Sequence, residues 1–536
     1  VDGVRLSRSS ELTGTSPAAA MAVPLPADAR VLRLVVTGGA DIHYDHADWA
    51  DAAVRAPMPL VFRNVNDDFP PDAAIYGPVA TAQPGGSVSI TVGTDIQSVV
   101  NANPAGTVYW IQAGTHRHQS ITPKNGDQFW GEYGAILSGA KVLTGAVADG
   151  SDWRYDGQTQ EGGLAGFACL PGFPRCRYVE DLWIDGVWQK HVDSRGAMTA
   201  NTWYFDYAAD RIYIRNNPAG KLVETSVTAR AFQGSASNVL IRNLVIEQYA
   251  TLAQDGAVRA ENGSGWTVRN CDIRKNHAYG IRTGSGLSVY NTKLNDNGQI
   301  GSGGPGSVIL FDTCEFARNN VAGFDYGWEG GGSKWAETDH LTVRYCYVHD
   351  NVGPGLWTDI NNYLTLYEYN VVEDNIDKGI FHEISFDCII RYNQVRRNGF
   401  GFIDWLWGAG IIVAASGGID SDIVVHDNIV EDNADGIALI QQNRGSGEPH
   451  GSGYGVLPWH NKNILVRDNI IRLGGTNRQT GAVDDAGDLS YGRNIRFVNN
   501  TYFLAGADAF CFEWLGAKNQ AGWQAAGQDL TGTFNY

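Results

Sequence analysis

The chain has 536 residues, 43% of them hydrophobic and 18% charged, with 66 glycines and a formal net charge of −18 at pH 7. That acidic balance argues against nucleic acid and anionic membrane as partners, and no apolar run approaches the roughly 18 residues of a membrane span. A polyanionic substrate would need a local basic groove or bridging cations to overcome the field.

The chain opens at Val1 with neither an initiator methionine nor a signal peptide, the expectation for a mature or trimmed product. Sparse lysine, abundant tryptophan and glycine, and few cysteines fit a secreted bacterial protein. Over residues 1–57 short alternating strands (VLRLVVTGG) run into DIHYDHADWADAAV. The stretch LRLVVTGGADIHYDHADWADA resembles the closing half of an NPCBM module. The resemblance implies a partial sugar-binding β-sandwich of the kind found beside glycan-cleaving domains. A Pro-rich linker is expected over 58–90 (APMPLV, PPDAA, QPGGS).

Residues 91–140 read as a cap followed by first coils. Thr94 and Asp95 stand as N-cap residues before IQSVV, which presents one apolar helical face. Over 141–235, WIDGVWQK and WYFDYAADRIYIRNNPAG read as hairpins with DG and AAD turns, an inserted β-subdomain. Within it Cys169 and Cys176 bracket CLPGFPRC and are candidates to pair, which an oxidising compartment would favour.

From 236 to 536 one pattern repeats, from NVLIRNLVI and GWTVRNCDI to NILVRDNII and NIRFVNNTY. The first apolar residues of the ten units are Val239, Trp266, Leu287, Val308, Leu341, Leu364, Cys388, Ile423, Ile464 and Ile495, in steps of 21 to 41 residues. Each unit alternates apolar and polar residues, meets Asn, Asp or Gly, and enters a second short strand. Periods in the low twenties with β-branched, period-two strands are those of a solenoid of β-coils, not of helical repeats. The expected fold is all-β: a parallel β-helix solenoid with a β-rich N-terminal segment and an inserted β-subdomain. The first coil of such a rod needs a cap, or its apolar end is exposed. Cys271 and Cys346 fall at equivalent places in their coils and are expected to be buried packing residues. The Asn and Asp residues at 374–375, 427–428, 431–432 and 468–469 are expected to form turn ladders.

A β-helix is filled inside, so its chemistry belongs on an outward face or on inserted loops. The long steps carry GWEGGGSKWAETD (327–339), NGFGFIDWLWGAG (398–410) and QNRGSGEPHGSGYGVLPWHNKN (442–463). Their tryptophans, Trp328, Trp335, Trp405, Trp407 and Trp459, are expected to offer flat apolar faces to sugar rings. Alignment of GLWTDI (355–360) with GIFHEI (379–384) puts Leu356 and Ile380 inward and Trp357, Asp359, Phe381 and Glu383 on the other face. Asp359 and Glu383 then sit on adjacent coils, about 4.8 Å apart at the backbone. Two such carboxylates share a proton, which raises one of their pKa values and equips the pair for glycosidic acid/base work. Lys334 falls opposite Trp357 if Gly332 matches Gly355, with Arg259 and Arg282 further back in the column. Glu329 and His382 are expected helpers. No spacing suggests a structural zinc site, and calcium is the one cofactor left open.

The segment TDIQSVVNANPAGTVYWIQAGTHRHQSITPKNGDQFWGEYGAILSG resembles the start of right-handed parallel β-helix proteins of the pectate-lyase type. GWEGGGSKW, GPGLWTDINN and GIFHEISF look like a large group of secreted bacterial right-handed β-helix proteins. That likeness implies a right-handed fold and, if the role is glycan-active, a site at Asp359, Glu383 and Glu329. Three functions stay open. The first is an extracellular glycoside hydrolase or transglycosidase acting on a neutral or weakly charged polysaccharide. The second is a lyase with Lys334 or Arg282 as base and calcium on Asp359, Asp404 or Glu383. The third is a non-catalytic glycan-binding surface protein. The expected partner is a polysaccharide or oligosaccharide, and the expected state a monomer or homotrimer.

Overall fold

The structure is a computed structural model that describes residues 76–164, 166–403, 405–473, 478–484 and 493–536. The NPCBM-like stretch, the first part of the expected linker and Asp404 lie outside the described residues.

Successive coils lay short strands onto three faces. The first face is a 13-stranded sheet from Val88–Ile90 to Ile495–Val498. The second is another 13-stranded sheet, from Gly114–Arg117 to Thr533–Asn535. The third begins as four strands, Gly256–Arg259 to Gly331–Lys334, and continues as seven, Leu356–Asp359 to Ala517–Lys518. A parallel bridge between Trp335 and Thr358 joins the two parts. Neighbouring strands run parallel along every face until the closing pair Phe512–Glu513 and Ala517–Lys518.

Strand alternation builds the core. Ile241, Val268, Val289, Phe311 and Val343 register on one another coil after coil and are fully buried. Each such side chain contributes about 1.5–3 kcal/mol on leaving water. Helix Ile96–Ala102 seals the first coil with Ile96 and Val100, and Asp95 caps it by accepting from Gln97 N at 3.2 Å. At the far end Trp523 of helix Gln520–Ala525 packs on Phe497 and Phe512.

The corners have their own chemistry. Between the first and second faces the chain turns through left-handed residues in every coil, among them Asn243, Asn270, Tyr345, Tyr369, Tyr392 and Asp468. Asn and Asp adopt that conformation readily, whereas tyrosine does not. The three tyrosines stack at 5.1 and 5.0 Å, and that contact offsets the strain. Two amide ladders run behind the corners: Asn370–Asn393–Asn428–Asn469–Asn500 where the first face turns into the second, and Asn276–Asn297–Asn319–Asn351–Asn375–Asn398–Asn433 where the second turns into the third. The ladder members at the positions anticipated from sequence are Asn375, Asn428 and Asn469. Their neighbours Asp374, Asp427 and Asp468 are the left-handed corner residues, and Glu431 is a strand residue. Cys314 and Cys346 extend the first ladder, Cys314 N donating to Cys346 Sγ and Cys346 N to Asn370 Oδ1. Cys271 is buried as well.

Four boundaries differ from the sequence reading. The fourth and sixth coils begin their buried run at Ile309 and Thr365, because Val308 and Leu364 take the left-handed corner, and Val308 is exposed. The expected linker is structured at its end: Val88–Ile90 is already a strand of the first face. Upstream of it, Gly77 and Val79 donate to Asn291 O and Asn243 Oδ1 on the coil stack. Coils also resume before 236, since Phe232 bridges Ile121 and Val258. The insertion itself is an eight-stranded sheet between Ala140–Val142 and Val223–Ser226, with a core that includes Tyr155, Trp203, Phe205 and Ile212.

Candidate functional site

Leu356–Asp359 and Ile380–Glu383 pair in the register Leu356–Ile380, Trp357–Phe381, Thr358–His382, Asp359–Glu383. Alternation sends Leu356, Thr358, Ile380 and His382 into the rod and the other four outward. Asp359 and Glu383 therefore stand side by side on the third face. Lys334, the last residue of Gly331–Lys334, reaches Asp359 Oδ2 at 2.9 Å and passes 4.0 Å from the centre of the Trp357 ring. Trp357 stacks on Phe381 at 5.4 Å, and Trp407 meets Phe381 edge-on at 6.3 Å.

Glu329 closes the cluster from the loop ahead of Lys334. It lies 3.8 Å from Lys334 Nζ and accepts from Gln254 Nε2 at 2.9 Å. Gln299 joins these two residues through their backbones: its Oε1 accepts from Gln254 N, and its Nε2 donates to Glu329 O. Arg282 donates to Gln254 O and pairs with Glu261, so it supports the cluster without entering it. On the opposite side Arg444, from the longest inserted loop, pairs with Glu383. The loop is held down by Trp459, whose Nε1 donates to Asn361 Oδ1 at 3.2 Å, and by His450, whose N donates to Asn361 O.

Three carboxyl groups and two cations are thus gathered in a place nearly shut from water; Glu329, Asp359 and Glu383 are 4%, 4% and 5% exposed. Burial pushes the Glu329 carboxyl up to about 7, against the pull of Lys334 and the Gln254 hydrogen bond. Glu383 is pushed up to about 7 first by burial and then by the charge of Asp359, with Arg444 and Lys334 opposing. Near neutral pH each glutamate therefore exchanges a proton readily, beside a carboxylate held by an ammonium group. Glu329 Oε1 and Asp359 Oδ1 are buried with no hydrogen-bond partner among the described residues. Such atoms are costly unless something donates to them, and a sugar hydroxyl is a donor.

The expected helpers divide. His382 points into the rod, bonds Thr358 Oγ1 through Nδ1 at 2.8 Å, and is pushed down to about 3 by burial. It cannot touch substrate, because the residue between two outward ones faces inward. Trp335 is likewise interior, packed on Phe311 and Phe316 rather than offered to a sugar. Trp357 is 3% exposed beneath Lys334 and forms a floor, not an open platform. Trp328 gives its carbonyl to Lys334 Nζ at 2.6 Å and stacks its ring on Phe167 of the insertion. Trp407 and Trp459 are half-buried at the rim, and Trp405 is exposed.

No expectation from the sequence names Arg444, Gln254 or Gln299. Arg444 had a signal, as a cation in a long insertion next to an acidic pair that needs one. The glutamines had none. For calcium the described residues do not fit: the Lys334 ammonium stands within 4 Å of both Asp359 and Glu329, where a cation would bind. Among the described residues no group of three or more His, Cys, Asp or Glu side chains is disposed to hold a metal ion.

Residues 256–419 match the family described as right handed beta helix region, and residues 1–55 match the NPCBM/NEW2 domain. The coil stack is a right-handed parallel β-helix. A solved structure described as the complex of XylC with xylose is similar to this β-helix, with a TM-score of 0.64 and 13% identity over 84% of this chain and 86% of that one. That likeness concerns the fold. The A-module of mannuronan C-5 epimerase AlgE4 from Azotobacter vinelandii aligns at 11% identity over 87% of this chain and 97% of its own, with a TM-score of 0.43. No curated protein matches the chain.

Proposed function

We propose that this β-helix protein is an extracellular glycoside hydrolase or transglycosidase acting on a neutral or weakly charged polysaccharide. The observation that carries the reading is the Asp359–Glu383 pair. Its members lie on adjacent strands, one paired to Lys334 and the other pushed up to about 7.

Glycosidic cleavage needs a proton for the leaving oxygen and a carboxylate for the anomeric carbon or for the water that attacks it. Glu383 supplies the proton. Asp359 supplies the carboxylate, attacking directly or taking a proton from water, and Lys334 keeps it in place. Glu329 sits on the far side of Lys334 and completes the charge balance. Arg444 pairs with Glu383 at one edge of the cluster, and the half-buried rings of Trp407 and Trp459, with the exposed Trp405, meet the sugar. A chain of net charge −18 suits a neutral polymer better than a polyuronate. The NPCBM/NEW2 match at residues 1–55 supports a glycan partner.

The test is a screen of bacterial, plant and algal polysaccharides for new reducing ends and for an unsaturated, ultraviolet-absorbing product. It compares wild type with Asp359→Asn and Glu383→Gln, with and without chelator. Reducing ends without absorbance, lost in both variants, are expected. Absorbance abolished by chelator would overturn the reading in favour of a lyase, and binding without cleavage would make the protein an adhesin.

A further inference from the structure

The 322–330 loop that carries Glu329 is pinned from outside the coil stack by a strap of the inserted subdomain. Cys169 and Cys176 form a disulfide across a separation of seven residues. Cys169 bridges Phe324 in antiparallel fashion, Leu170 N donates to Gly323 O at 2.8 Å, and Asp325 N donates to Ala168 O at 3.1 Å. Phe173 lies against Gly323, where an added Cβ would come within 2.2 Å of the ring at a φ of +76°. Phe167 stacks on Trp328 at 3.7 Å, with planes 12° apart, one residue before Glu329. Cys176, Ala322 and Phe324 form a small core of their own.

These contacts do more than cover a surface. Asp325 O accepts from Glu329 N at 2.9 Å, and Trp328 O accepts from Lys334 Nζ at 2.6 Å. The strap thus holds the turn whose carbonyls orient both Glu329 and Lys334. We propose that the disulfide-closed strap over residues 167–176 is a positioning element of the active site, fixing Glu329 and Lys334 relative to Asp359. The inserted subdomain is on this account part of the catalytic apparatus rather than an ornament on the rod. The inference rests on the reading of the carboxylate cluster as the active site, but its physical core, the coupling of strap to loop, is measurable without substrate.

The experiment pairs hydrogen exchange by mass spectrometry with steady-state kinetics on the whole chain. The variants are Phe167→Ala, Phe167→Tyr, Gly323→Ala and the double change Cys169→Ser with Cys176→Ser. Expected are faster exchange across 322–330 in Phe167→Ala, Gly323→Ala and the double variant, with exchange in the other coils unchanged. Their kcat should fall by about 10-fold or more with little change in KM, as a misplaced reacting group predicts. The alkaline limb of the pH profile should move with it, and Phe167→Tyr, which keeps the stack, should restore wild-type behaviour. Unaltered exchange in 322–330 would overturn the inference, and so would faster exchange with unchanged kcat and pH profile. If wild type cleaves no glycan, the proposed function fails, while the exchange result still decides whether strap and loop are coupled.

Discussion

The Lys334 ammonium lies 2.9 Å from Asp359 Oδ2, and the two residues come from consecutive coils of the third face. This ion pair organises everything near it. It anchors the Asp359 carboxylate, passes over the Trp357 ring, and leaves Glu329 and Glu383 on either side to be raised by burial.

Removing that cation should expose the cost of the arrangement. Lys334→Met strands a buried carboxylate, and a loss of about 3–5 kcal/mol is expected in denaturant unfolding. The double change Lys334→Met with Asp359→Asn should recover part of the loss. Lys334→Arg should not restore activity, because a planar guanidinium does not occupy the place of a compact ammonium. Equal stability of Lys334→Met and wild type would show that the pair does not matter.

Asp359→Asn and Glu383→Gln should each lower kcat by about 10²–10⁴-fold, the usual worth of a positioned acid or base. Both replacements keep the shape of the side chain, so thermal melting should confirm that the fold survives. Reducing-end kinetics would check the prediction, and full activity in either variant would remove that residue from the mechanism.

Activity should fall as pH rises past about 7, because Glu383 must carry its proton. Arg444 opposes protonation of Glu383, so Arg444→Gln should move the alkaline limb upward.

Stability carries a signature of its own. Glu329 rises on folding from an ordinary value of 4.5 to about 7. A carboxyl raised in the folded state contributes stability that is full below 4.5 and is lost as pH climbs to about 7. The melting-temperature advantage of wild type over Glu329→Gln should therefore shrink across that window. An advantage that grows with pH would contradict the assigned shift.

The amide ladders should prove as costly to break as the core. Asn398 Nδ2 donates to Val372 O at 2.9 Å and to Asn433 Oδ1 at 2.9 Å, while its Oδ1 accepts from Asn375. Asn398→Leu leaves several buried groups without partners, at about 1–3 kcal/mol each. Denaturant unfolding is the check, and a loss under 1 kcal/mol would mean that the ladder relaxes to share its bonds.

The rod was legible in the sequence because its information is local and repeated. Period-two alternation with a turn every twenty-odd residues leaves few alternatives to stacked coils. Ile241, Val268 and Val289 fall into register for that reason alone. The same alternation puts Asp359 beside Glu383, while Lys334 comes opposite Trp357 only through the match of Gly332 to Gly355 across an insertion. It failed by one residue at Val308 and Leu364, since an apolar residue in a left-handed corner mimics the start of a strand. His382 and Trp335 depart from expectation for a different reason. They are aromatic groups beside the acids, and only their parity along the strand sends them inward.

The sequence by itself determined the solenoid, its N-terminal cap and the face that carries the paired carboxylates, because each follows from a short local pattern. The tertiary structure decided who else is at the site. Arg444 reaches Glu383 across 61 residues and Gln254 reaches Glu329 across 75, and the insertion's strap comes to rest on the loop before Glu329. Those contacts depend on where long loops fold back onto the rod. That path is set by packing against distant coils, which no local pattern encodes.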